Sequence, residues 1–109
     1  MADALLVLGQ SYPAGGTLTT LYTVPGATSV ASSSLMVCNQ SSSPAKVRVS
    51  VAIAGAADTA AQYIRYDSPL LGNEARTIVA GMTLATTDVV RVYSDTGTVS
   101  FVLFGVQVT

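Results

Sequence analysis

The sequence predicts an all-β protein: a single antiparallel β-sandwich, jelly-roll-like, of about eight strands. Three observations lead there. The polar surface is built from hydroxyls, with 12 Ser and 13 Thr in 109 residues, and Thr favours strand over helix. Charged residues make up 10% of the chain against about 25% in ordinary soluble domains, while the apolar set reaches 50% and mean hydropathy is +0.52. Short β-type runs also recur along the whole length, separated by Gly, Pro, Asn and Ser, and no stretch carries a convincing helical period. A chain of this size holds one core, so residues 1–109 are read as one domain.

The elements follow in order. "ALLVLGQ" (4–10) is a strand stopped by "SYPAGG", whose Pro and paired Gly break regular structure. "TLTTLYTV" (17–24) ends at Pro25 and Gly26, and "TSVASSSLMVCN" (28–39) is long enough for a bent strand, or for a strand preceded by an irregular Ser-rich stretch, before the turn "SSSP". "AKVRVSVAIA" (45–54) has the clearest alternation: Val47, Val49, Val51 and Ile53 on one face, Lys46, Arg48, Ser50 and Ala52 on the other. "GAADTAAQ" (55–62) reads as mostly loop. In "QYIRYDSPL" (62–70), Tyr63, Arg65 and Asp67 face opposite to Ile64 and Tyr66, and Pro69 closes the run. "GNE" is a turn, "ARTIVA" (75–80) a strand, and "GMTLATTD" (81–88) a connection. "DVVRVYS" (88–94) and a final strand flank the hairpin turn "DTG" at 95–97.

The final stretch, "TVSFVLFGVQVT", is apolar on both sides: Val99, Phe101 and Leu103 on one, Val102, Phe104, Val106 and Val108 on the other. A single sheet would leave one such face wet, so two packed sheets are expected. The jelly roll is preferred to an immunoglobulin-like sandwich, because there is no Trp and a lone Cys38 cannot form an inter-sheet disulfide.

Chemistry is narrowed by what is missing. With no His in the sequence, the chain lacks the usual general base near neutral pH, the usual partner of a Ser or Cys nucleophile and the commonest transition-metal ligand. Asp3, Asp58, Asp67, Glu74, Asp88 and Asp95 lie singly, in places where turn and surface roles account for them. "SDTG" is weak as a calcium loop, and "PAGG" has neither the Lys nor the helix of a phosphate loop. No catalytic residue, cofactor or metal ligand is assigned, and the protein is read as a non-enzyme. Five basic residues against six acidic ones argue against nucleic acid. No apolar run approaches a membrane span, and "MADALLVLGQ" does not read as a secretory leader, so Asn39-Gln40-Ser41 reads as a chance glycosylation match. The Tyr residues (12, 22, 63, 66 and 93) are candidates for a sugar platform or for sheet packing. What remains is surplus apolar surface, which points to association.

The stretches "TLTTLYTVP", "SSLMVCNQSSSPAKVRVSVAIAGAAD", "QYIRYDSPLLGNE" and "GMTLATTDVVRVYSDTGTVSFVLFG" span nearly the whole chain. Together they resemble small virion structural proteins of tailed bacteriophages, similar to capsid decoration (cement) proteins and tail accessory proteins. The resemblance implies a β-sandwich that assembles, often as a trimer, on a virion surface, capsid or tail. The leading reading is a homotrimer on the capsid surface, made in the bacterial host cytoplasm, with the major capsid protein as partner. The alternative it leaves is a tail or fibre module that binds host surface glycans. On the leading reading the subunit interface includes Phe101, Val102, Phe104 and Val106, and Arg65, Arg76 and Arg91 are candidates for shell contacts.

Overall fold

The computed structural model describes residues 3–109, and of Ser32 only the backbone. Its strands are β1 (Asp3–Ser11), β2 (Thr19–Thr23), β3 (Ser29–Asn39), β4 (Ala45–Ala52), β5 (Tyr63–Leu70), β6 (Ala75–Leu84), β7 (Val89–Ser94) and β8 (Val99–Val108). Two single 3-10 turns, Ile53–Gly55 and Ala60–Gln62, lie between β4 and β5. The strands form two four-stranded antiparallel sheets, ordered β1-β8-β3-β6 and β2-β7-β4-β5. Every connection except β4 to β5 crosses from one sheet to the other. This is the jelly roll, two Greek keys wrapped into a sandwich.

Period-two alternation drives the packing. Val30, Leu35 and Val37 from β3, Val47 and Val49 from β4, Val90 and Val92 from β7, and Val99, Phe101 and Leu103 from β8 all point between the sheets and are fully buried or nearly so. Each such side chain contributes roughly 1.5–3 kcal/mol by leaving water. Phe101 corrects the sequence reading. Grouped there with the subunit interface, it has no accessible surface, and as one of the largest core side chains it can offer nothing to a partner. The alternation along β8 already separates it from Phe104, since residues three apart on a strand face opposite ways.

Two elements depart from expectation. β6 does not stop before Gly81 but runs on to Leu84. Gly81 sits at φ +76° within β6, and the β3–β6 register shifts around Ser33 and Met82, so the glycine makes a bulge where a break is expected. In β5, Ser68 pairs with Val47 and Arg65 with Val49, so Tyr66 and Asp67 share the place opposite Arg48. Asp67 takes φ +49° there. A second shift, between Val49–Arg65 and Ser50–Tyr63, leaves Ile64 as an extra residue and brings Tyr66 to the same face as Tyr63, against the strict alternation.

The two open sides of the sandwich close differently. On the β1/β2 side the backbones touch: a Cβ on Gly9 would lie 2.6 Å from the Leu21 carbonyl oxygen. Long side chains bridge the β5/β6 side. Arg65 Nε on β5 donates to the Ile78 carbonyl at 2.9 Å, and Arg76 Nη2 on β6 donates to the Pro69 carbonyl at 2.8 Å. At one end of the sandwich the buried Asn39 ties three loops together. Its Nδ2 donates to the carbonyls of Ser43 and Leu71, and its Oδ1 accepts from the Ser41 amide and the Thr98 hydroxyl. An amide so engaged is in no position to carry a glycan.

Candidate functional site

The two outer faces of the sandwich are chemically unlike. On the β1-β8-β3-β6 sheet the outward residues of β8 are flanked by apolar neighbours: Val106 lies between Leu5 and Ala31, Phe104 between Val7 and Ser34, and Val102 between Gln10 and Met36. Leu5 is 82% exposed, Val7 47%, Met36 39% and Phe104 38%. A hollow of about 170 Å³ between Met36, Cys38, Ala75, Val102 and Phe104 interrupts this face, and a wider one of about 460 Å³ lies between Leu5, Leu6, Val7, Phe104 and Val106. The first is almost wholly lined by carbon and the second mostly so. Of the residues predicted for the subunit interface, Val102, Phe104 and Val106 stand together here, while Phe101 lies behind them in the core. Leu5, Val7 and Met36 complete the patch. The sequence signal for them was the apolar character of "LLVL" and "SLMVC"; only the strand order, which places β1 and β3 on either side of β8, shows that they join it.

The opposite face, on β2-β7-β4-β5, is polar and aromatic. Arg48 lies directly across from Tyr93 on β7 and from the Tyr66–Asp67 bulge on β5. Its guanidinium carbon sits 4.2 Å from the Tyr66 ring centre and 4.4 Å from that of Tyr93, so it is stacked between two rings. Nε bonds Asp67 Oδ1 at 2.7 Å. That bond raises the pKa of Arg48 and holds the Asp67 carboxyl below its ordinary value. Tyr63 meets Tyr66 edge-on with ring centres 5.1 Å apart, and its hydroxyl donates to Asp58 at 3.0 Å. Partial burial first, and the bond to Asp58 second, push the Tyr63 hydroxyl above its ordinary pKa.

The predicted shell contacts do not gather at one place. Arg65 and Arg76 bridge the β5/β6 side, and Arg91, between β2 and β4, donates to the carbonyls of Ala56 and Gly55, holding the loop after β4 against its sheet. The carboxylates are likewise occupied with backbone and partner groups. Asp88 accepts from the amides of Ala54 and Ala85, Asp95 from that of Lys46, and Glu74 from that of Leu71. These bonds fasten turns, the role sequence reasoning favours for them. Among the described residues no group of three or more His, Cys, Asp or Glu could hold a metal ion, and no helix is long and apolar enough to cross a membrane. No protein family, curated protein or solved structure matches the chain.

Proposed function

We propose that this protein is a structural virion protein of a tailed bacteriophage, a capsid decoration protein that binds the outer shell as a homotrimer and stabilises it. One observation carries the reading. The outer face of the β1-β8-β3-β6 sheet presents Leu5, Val7, Met36 and Phe104 to solvent at 38–82% exposure, around half-buried Val102 and Val106. Contiguous apolar surface of this kind marks a partner interface on a soluble protein. The resemblance of the sequence to phage cement proteins supplies the assembly and the partner. A symmetric trimer covers the apolar face with copies of itself, and three linked subunits engage neighbouring shell subunits together, so weak contacts multiply into tight attachment.

Light scattering on the purified protein over a dilution series tests the first half. A particle of three times the 11.1 kDa chain mass is expected, and a monomer at every concentration overturns the trimer. Adding the protein to capsids stripped of their decoration tests the second half. Retention on the capsids and a higher disruption temperature are expected, and free protein with unchanged capsids defeats the assignment.

A further inference from the structure

We infer that the Arg48–Tyr66–Asp67 cluster on the outer face of the β2-β7-β4-β5 sheet is a binding site for a neutral oligosaccharide. The inference stands apart from the trimer reading, because the site lies on the opposite side of the sandwich from the apolar face.

Four features make the cluster a built site. Tyr66 is 60% exposed although its ring stacks on Arg48 and meets Tyr63 edge-on, so an aromatic surface held from two directions remains accessible to a ligand. The apolar C–H face of a sugar ring packs on such an aromatic face. Arg48 is gripped by two rings and by Asp67 through Nε alone. Among the described residues its two Nη groups bond no protein acceptor, and they form a fixed fork of donors. Asp67 uses one oxygen for Arg48 and its side chain is 41% exposed, which leaves an acceptor beside those donors. Adjacent sugar hydroxyls require this pairing of fixed donor and fixed acceptor next to a ring.

The backbone is distorted to make the arrangement. Asp67 holds φ +49°, a conformation that is costly for a non-glycine residue and tends to occur where side chains are re-aimed for a purpose. Without the bulge, Tyr66 and Asp67 would face opposite ways. Rigidity also favours binding, since the groups lose little freedom when a ligand arrives. The ligand class follows from charge: Arg48 and Lys46 are offset by Asp67 and by Asp58, which holds the Tyr63 hydroxyl, so the cluster offers no net attraction to a polyanion or to phosphate. A neutral polyol matches it.

The test is an NMR titration of the ¹⁵N-labelled full chain with maltohexaose, mannohexaose, galactohexaose and chitotetraose, with a sulfated heparin hexasaccharide as the charged comparison. Saturable shifts confined to residues 46–48, 63–67 and 91–93 are expected with at least one neutral probe. Tyr66→Ala should weaken that binding at least tenfold, and Asp67→Asn several-fold, with the rest of the spectrum unchanged. Tyr66→Phe should retain it, because the ring face does the packing. No shift with any neutral probe, shifts centred elsewhere, or preference for the heparin fragment would overturn the inference. None of these outcomes bears on the native mass.

Discussion

Phe104 and Tyr66 are both exposed aromatic residues on outer sheet faces, yet their surroundings differ in kind. Around Phe104 stand Val7, Val102, Val106 and Met36, side chains with no hydrogen-bond donor to fix a partner's orientation. Tyr66 is fixed by an edge-on Tyr63, a stacked guanidinium and the bulge at Asp67. Non-directional burial tolerates many partners of suitable shape and gains in proportion to area. Directional groups held in place select a partner by its hydrogen-bonding pattern. One face of this jelly roll is suited to permanent assembly, and the other to selective, weaker recognition.

Substitutions can break this contrast, beginning with the core that lies under both faces. Phe101→Ala removes a fully buried ring and should cost about 3–5 kcal/mol of stability in denaturant unfolding, whereas Phe104→Ala, on the same strand but facing out, should cost the monomer far less. Equal losses would mean that the outer apolar face is covered within the fold. Next in size is Phe104→Asp. Placing a carboxylate in an apolar interface should raise the dissociation constant of the oligomer by at least ~30-fold, the scale of an interface hot spot, while leaving the far-UV circular dichroism spectrum unchanged. An oligomer of unaltered strength would show that the face does not mediate assembly.

The recognition face should respond weakly in stability and not at all in mass. Tyr66→Ala is expected to change unfolding free energy by about 1 kcal/mol or less, the value of an exposed cation–π contact, with native mass constant by light scattering. The smallest effect is acidic. Asp67, faced by Arg48 and Lys46, has a pKa below its unfolded value of about 3.9. Its contribution is therefore complete above that pH and is lost as pH falls through the lowered pKa. The difference in melting temperature between the natural chain and Asp67→Asn should be present at pH 6 and shrink towards pH 2. A difference that persists at pH 2 would show that the charge on Asp67 is not its source.

The strands and their packing into two sheets were legible because alternation such as Val47 and Val49 against Lys46 and Arg48 reports directly on one buried face. The alternation fails at the end of β4, where Ser50 and Ala52, read as the outward face, are fully buried and Ile53, read as inward, is 77% exposed. The double-sided apolar character of β8 was legible too, and so was the opposition of Phe101 to Phe104; an interface of Phe101, Val102, Phe104 and Val106 mixes the two faces, and which of them turns inward depends on the neighbouring strands. Bulges escape a reading based on strict period two. Gly81 reads as a terminator because glycine usually ends a regular run, and nothing in "YIRYDSP" announces that two of its residues will oppose one of β4. The pairing of Arg48 with Tyr66, Tyr93 and Asp67 joins three strands separated by up to 45 positions. Such a cluster is set by register, which local sequence does not contain.

The unequal closure of the two sides makes the sandwich behave like a book. Along the β1/β2 side, where backbone meets backbone at Gly9, there is no slack; that side is the spine. The β5/β6 side is fastened by two arginines of opposite sense, one reaching from each sheet to a carbonyl on the other. Long side chains can follow a carbonyl through small displacements without losing it, so this side works as a pair of elastic clasps. Under pressure or tension the sheets would part there first and close again. A sandwich hinged in this way takes up small displacements between its two sheets without losing either bond.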